Sequence, residues 1–154
     1  KFIHDFTMSN RLSGNVVKNG KGKNLSFDYH KKAPYENLFC NIDVGEGSQI
    51  WRCGGGRNIG KHCAARGTFW CIQSKKEIKW PSSDFGPDSI NVIGVKTSSK
   101  PVKDLNGKWL ENIPPDELYP KDLHAAQLQL LRRRETPSLT LGHHLGRAGH
   151  AHAH

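Results

Sequence analysis

Leu38-Phe39-Cys40-Asn41-Ile42-Asp43-Val44, the turn Gly45-Glu46-Gly47-Ser48, and then Gln49-Ile50-Trp51-Arg52-Cys53 form the stretch on which the fold reading turns. Two short runs rich in aromatic and branched residues flank a cluster of glycine and serine, the pattern of strand, turn, strand. Further runs lie on both sides. Phe2 to Met8 is aromatic and branched, and Leu25-Ser26-Phe27-Asp28-Tyr29-His30 alternates apolar and polar as a half-buried strand does. Between them, Asn15 to Asn24 is a loop of glycine, lysine and asparagine with a turn signal at Asn19-Gly20. Thr68 to Gln73 leads into Glu77 to Trp80, and Ser89 to Thr97 ends the series. Short strands with polar turns over residues 1–97 predict a mainly β fold, a small antiparallel β-sandwich or barrel.

The rest of the chain changes character. Residues 98–122 hold four prolines and read as a connector. Asp122 is placed to cap a short helix over 123–134, which carries four leucines and ends on Arg132-Arg133-Arg134. The arginine run reads equally as a basic processing site. From Glu135 onward proline, glycine, serine and histidine dominate, the composition of a disordered tail.

Charge narrows the partner. The 154 residues carry a net charge of +9, all of it within residues 1–103; residues 104–154 hold equal numbers of acidic and basic side chains. The charge favours an acidic partner, whether nucleic acid, anionic lipid, an acidic wall or a protein surface, beside the simpler reading of a solvated basic surface. Arg52, Arg57, Lys61, Arg66, Lys75, Lys76 and Lys79 are the candidate contacts. The segment Gly55 to Lys61 matches seven positions of a phosphate loop, but His62 stands where magnesium binding needs Ser or Thr, and no long helix follows. It reads instead as a mobile loop between strands whose amides and cations cradle an anion. No apolar run reaches the length of a membrane span.

Cys40, Cys53, Cys63 and Cys71 lie within 32 residues. An even, clustered set in a small basic chain predicts disulfide stapling and an extracellular, secreted protein, with three pairings open. A zinc site would bring its thiolates as close CxxC-type pairs, and none is present. The start at Lys1 rather than at methionine accords with removal of a leader. In a secreted chain, Asn24-Leu25-Ser26 is a glycosylation sequon.

Other chemistry is thinly signalled. His143, His144, His150, His152 and His154 form a tail able to take up zinc, copper or nickel adventitiously; no cofactor is otherwise expected. Aromatics interleaved with lysines, among them Trp51, Trp70 and Trp80, raise RNA binding, against the simpler reading that they form the core. Ribonuclease-like chemistry would draw on His4, His30, Glu36 and His62, which no spacing commits. No catalytic residue is assigned.

Ile3-His4-Asp5-Phe6-Thr7, Leu25-Ser26-Phe27, Phe39-Cys40 with Trp51-Arg52-Cys53, and Thr68-Phe69-Trp70 through Ile78 and Trp80 together resemble the secreted fungal β-barrel family typified by the major Alternaria allergen. The resemblance covers residues 2–97. It implies a compact barrel, a Cys40–Cys53 disulfide, secretion and no catalytic residues. With the charge, it leads to the expectation of a non-enzymatic effector or elicitor of a plant-associated fungus, binding a host plant protein or other acidic surface and modulating immunity. The alternatives are a secreted RNA-binding or ribonuclease-like protein and a metal-binding protein using the tail.

Overall fold

The computed structural model describes residues 5–55, 58, 63–86, 89–104 and 107–135. Eight strands and one helix lie among them: β1 (Val16–Lys18), β2 (Phe27–His30), β3 (Leu38–Asp43), β4 (Trp51–Gly54), β5 (Gly67–Gln73), β6 (Ile90–Val95), β7 (Val102–Lys103), β8 (Trp109–Glu111) and α1 (Leu123–Glu135). The mainly β content and the C-terminal helix are as expected. The disordered tail beyond Glu135 lies outside the described residues.

The pairing is not antiparallel. One sheet runs β1-β3-β5-β6-β8-β7 and a second pairs β2 with β4. Only β7 and β8 pair antiparallel; β1 with β3, β3 with β5, β5 with β6, β6 with β8 and β2 with β4 are all parallel. Apart from β7, each strand therefore stacks on one that lies a full circuit away. Val16 faces Leu38, Leu38 faces Thr68, Thr68 faces Asn91 and Asn91 faces Trp109. The chain is a parallel β-coil, not a sandwich or barrel. The glycine and asparagine clusters that suggest hairpin turns are its corners.

Those corners share one backbone state. Asn19, Asn41, Cys71 and Gly94 each follow a register-matched strand residue (Lys18, Cys40, Trp70, Ile93), and all four have positive φ, from 53° to 77°. The left-handed conformation turns the chain there and puts the next residue back inside. Asparagine tolerates it, and the amide of Asn41 donates to the Asn19 side-chain oxygen at 2.9 Å, tying adjacent turns. A second tie lies at the other end of the strands. Asn37, 1% exposed, accepts from the Asn15 amide at 2.8 Å and donates to the Leu12 carbonyl.

Inside, Val17, Phe39, Phe69, Val92 and Leu110 form one column, each in register with the next. Phe39 and Phe69 stack at 5.2 Å and 5°. Phe27 packs 4.6 Å from Phe39 and 5.0 Å from Phe69, and Phe85 lies 5.2 Å from both Tyr29 and Trp51. The bulk of the interleaved aromatics is thus core. Phe27, Tyr29, Phe39, Phe69 and Phe85 are fully buried.

All four cysteines are free thiols, so the stapling expected of the chain, including a Cys40–Cys53 bridge, is not present. Cys40 and Cys71 instead serve the outer face. After β8 the chain runs back as a strap across the turns. Cys71 Sγ donates to the Pro115 carbonyl, Leu118 packs on Cys71 and Ile93, and Trp70 Nε1 donates to the Pro120 carbonyl at 2.6 Å. The strap ends at Asp122, which accepts from Lys18 Nζ at 2.8 Å and, as the helix cap, from the Ala125 amide at 2.9 Å. Arg132, Arg133 and Arg134 fill the last turn of α1, where they complement its dipole, and no residue of α1 is buried. The connector expected at 98–122 thus supplies two strands and the strap.

Gly94 is where corner and strap meet. A Cβ there would lie 2.3 Å from Leu118 Cδ2, on a backbone with φ of 77°. Gly94→Ala is expected to destabilise the protein by about 2–4 kcal/mol, combining the left-handed penalty with overpacking. A lower urea midpoint measures it; an unchanged midpoint would show that the strap does not pack on this corner. The Asp122 carboxyl is held below the usual carboxylate range, first by the Lys18 hydrogen bond and then by the Ala125 amide. Its contribution is present above the unfolded-state range near pH 4 and is lost as pH falls through the lowered native value. Hydrogen exchange is expected to show α1 and the strap end opening in acid before the β-coil does.

Candidate functional site

Residues beyond the left-handed corners form a further side of the coil, continued by loops. The Val44 amide donates to the Gln73 carbonyl, Lys75 to Gly45, and Ile78 to Lys96, so successive turns also stack here. Trp51 Nε1 donates to the Lys79 carbonyl at 2.8 Å and Trp80 Nε1 to the Lys100 carbonyl at 2.7 Å. These bonds anchor the loop after β5 at both indoles while the ring bodies lean on the core.

Two clefts open on this side. The smaller, about 400 Å³, is lined by Gln49, Trp51, Lys76, Glu77, Lys79 and Trp80 among others. The larger, about 720 Å³, lies between this side and the strap, with Gln73, Glu77, Lys96, Asn112, Asp116 and Lys121 on its walls. Glu77 lines both, so the two clefts adjoin at this residue and are together termed the groove. Its carboxylate accepts from Ser98 Oγ at 2.7 Å, and Lys96 Nζ donates to the Lys75 carbonyl at 2.9 Å. Lys121 Nζ donates to the Pro115 carbonyl, bracing the strap. The groove therefore offers two indoles at one end and a mixed wall of amide, ammonium, carboxylate and hydroxyl groups at the other. Such a wall can both donate to and accept from a polyhydroxylated or charged ligand.

The basic residues singled out by sequence do not form one patch. Lys76 and Lys79 lie in the groove. Lys75 Nζ is 2.9 Å from Glu46, which Lys76 also approaches at 3.5 Å, and this pair of ammonium groups holds the Glu46 carboxyl below its usual range. Arg66, at another corner, is 2.7 Å from Glu36 and lies over the Tyr35 ring. Arg52 lies on β4 opposite Asp28. Arg57, Lys61, His4, His62 and the tail histidines His143, His144, His150, His152 and His154 lie outside the described residues. No cluster of three metal-ligating side chains occurs among the described residues.

Asp28 is the most deeply buried charged residue among those described, 1% exposed. His30 Nε2 lies 3.8 Å from one of its oxygens and Arg52 Nε 4.0 Å from the other. A carboxylate taken out of water needs such neighbours, and both keep about a third of their side-chain surface exposed. Of the acid–base candidates, His30 is thus placed beside Asp28 and Glu36 beside Arg66. The sequon residue Asn24 is exposed, but its side chain both donates to and accepts from Ser48. Asn112, Asp116 and Lys121 of the groove escaped the sequence reading, because only the return of the strap brings them there.

Compared with family models, with curated proteins and with solved structures, the chain matches none. No helix among the described residues is long and apolar enough to cross a membrane.

Arg52→Ala removes the guanidinium beside a buried carboxylate, and a loss of about 1–3 kcal/mol is expected. Asp28→Asn in the same chain should recover part of it, because no buried charge is then left to compensate. Urea denaturation of the single and double variants tests this; additive losses would show that the two residues act independently.

Proposed function

We propose that the protein binds an extended acidic polymer, an acidic glycan first, in the groove that meets at Glu77. One observation carries the reading: Trp51 and Trp80 line one end together with Lys76 and Lys79, and the adjoining larger cleft bears Lys96 and Lys121. Indole rings stack on the apolar faces of sugar rings, ammonium groups pair with carboxylates or sulfates, and Gln73, Asn112, Glu77 and Asp116 bond hydroxyls. The net charge of +9 steers such a ligand toward the molecule. Binding, rather than turnover, is the proposed activity.

The same feature supports a second reading, single-stranded RNA, since bases stack on indoles and phosphates pair with lysines. A secreted effector meeting an acidic surface of a plant host is one setting for either ligand. The short motifs shared with the fungal barrel family and the positive charge support that setting. The parallel coil departs from the barrel which those motifs imply, so the acidic-partner reading stands on the groove and the charge.

Titration calorimetry with oligogalacturonate and with single-stranded RNA at two salt concentrations separates the cases. The acidic glycan is expected to bind more tightly than RNA, with affinity falling as salt rises. Lys79→Ala should weaken binding several-fold and flatten the salt dependence, and Trp80→Phe should weaken it by about tenfold through lost stacking area. Absence of heat with both ligands at low salt would refute the proposal; tighter RNA binding would replace the glycan with the second reading.

A further inference from the structure

Between the second and third turns the coil takes a detour. Val16 meets Leu38 after 22 residues and Thr68 meets Asn91 after 23, but Leu38 meets Thr68 only after 30. The extra length is localised. β4 keeps register with β2 as far as Gly54, opposite His30, and the next pairing begins at Cys63, which bridges to Phe85. Cys53, next to the last paired residue of β4, and Cys63, the first residue of the next pairing, thus flank the extra length.

The two cysteines flank it and share a core neighbourhood. Cys53 faces Tyr29 across the β2–β4 pair, and Tyr29 packs 5.2 Å from Phe85, the residue that Cys63 bridges. Both cysteines belong to the same core cluster, with Cys63 buried and Cys53 half-buried at its margin. The Cys53 side chain is among the neighbours that push the Cys63 thiol up. Cys63 Sγ also donates to the Asp84 carbonyl at 3.6 Å. Cys40 and Cys71, by contrast, point outward beneath the strap, on Asp122 and Pro115.

We propose that Cys53 and Cys63 form a redox pair, and that oxidation by a small disulfide such as oxidised glutathione joins them across the extra length. This pairing differs from the Cys40–Cys53 bridge implied by the family resemblance, and it does not rest on the ligand reading of the groove. The half-buried Cys53 reacts first. Its thiolate attacks one sulfur of the glutathione disulfide, that S–S bond breaks, and one glutathione thiolate leaves. Cys63 then gives up its proton and attacks the Cys53 sulfur, releasing the second glutathione. The protein loses two hydrogens and the oxidant is reduced to two thiols. Burial pushes the Cys63 thiol well above its usual range, so the second step is the slower one.

The experiment is a non-reducing peptide map of the folded full chain after incubation with oxidised glutathione, with free thiols blocked under denaturing conditions. The expected product has one cross-link, Cys53 to Cys63, with Cys40 and Cys71 recovered as blocked thiols. A cross-link from Cys53 to Cys40 or Cys71, or four blocked thiols after prolonged oxidation, would overturn the proposal. Cys63→Ser supplies an independent readout. It cannot complete the second step and should retain one glutathione on Cys53; a variant that stays unmodified there argues against Cys53 as the entry point.

Discussion

The first four stacked turns of this chain reach their corner with the same backbone twist. Asn19, Asn41, Cys71 and Gly94 adopt it in the left-handed region, one above another. A turn that missed it would slip by one residue and send its inner side chain outward, because strand faces alternate with period two. The corners therefore keep Val17, Phe39, Phe69, Val92 and Leu110 in one inner column. They equally keep Lys18, Cys40, Trp70, Ile93 and Glu111 in one outer column.

The outer column explains the C-terminal quarter. A parallel coil leaves its outward residues without partners unless something crosses them. Here the strap does so, using Leu118 against Ile93, the Pro120 carbonyl against Trp70, and Asp122 against Lys18. By spanning several turns it ties early strands to late ones. It also forms the second wall of the larger cleft, so the element that closes the fold shapes the groove too.

Charge is distributed by the same geometry. Glu36, Glu46 and Asp28 take up much of the reach of Arg66, Lys75 and Arg52, on different sides of the coil. What a linear count presents as a single basic region is a set of local pairs. The cations that line the groove, Lys76, Lys79, Lys96 and Lys121, come from the loop after β5, the end of β6 and the strap.

Local chemistry alone determined the strand segments at Phe27–His30, Leu38–Asp43 and Ile90–Val95, the aromatic core and the Asp122 cap, because each depends on residues near in sequence. It also placed Trp51, Trp80, Lys76 and Lys79 among the candidates. The direction of pairing was not legible there. Alternation of apolar and polar residues is the same for a strand that meets its neighbour across a hairpin and for one that meets it a circuit later. The repeat is visible between Asn15-Val16-Val17-Lys18-Asn19 and Asn37-Leu38-Phe39-Cys40-Asn41. It is then obscured, because the insertion lengthens the next turn and cysteine and glycine replace asparagine at the later corners. Only the tertiary structure decided which lysines line the groove, and where Asn112, Asp116 and Lys121 lie. Those outcomes depend on contacts between residues tens of positions apart, brought together by stacking and by the return of the strap.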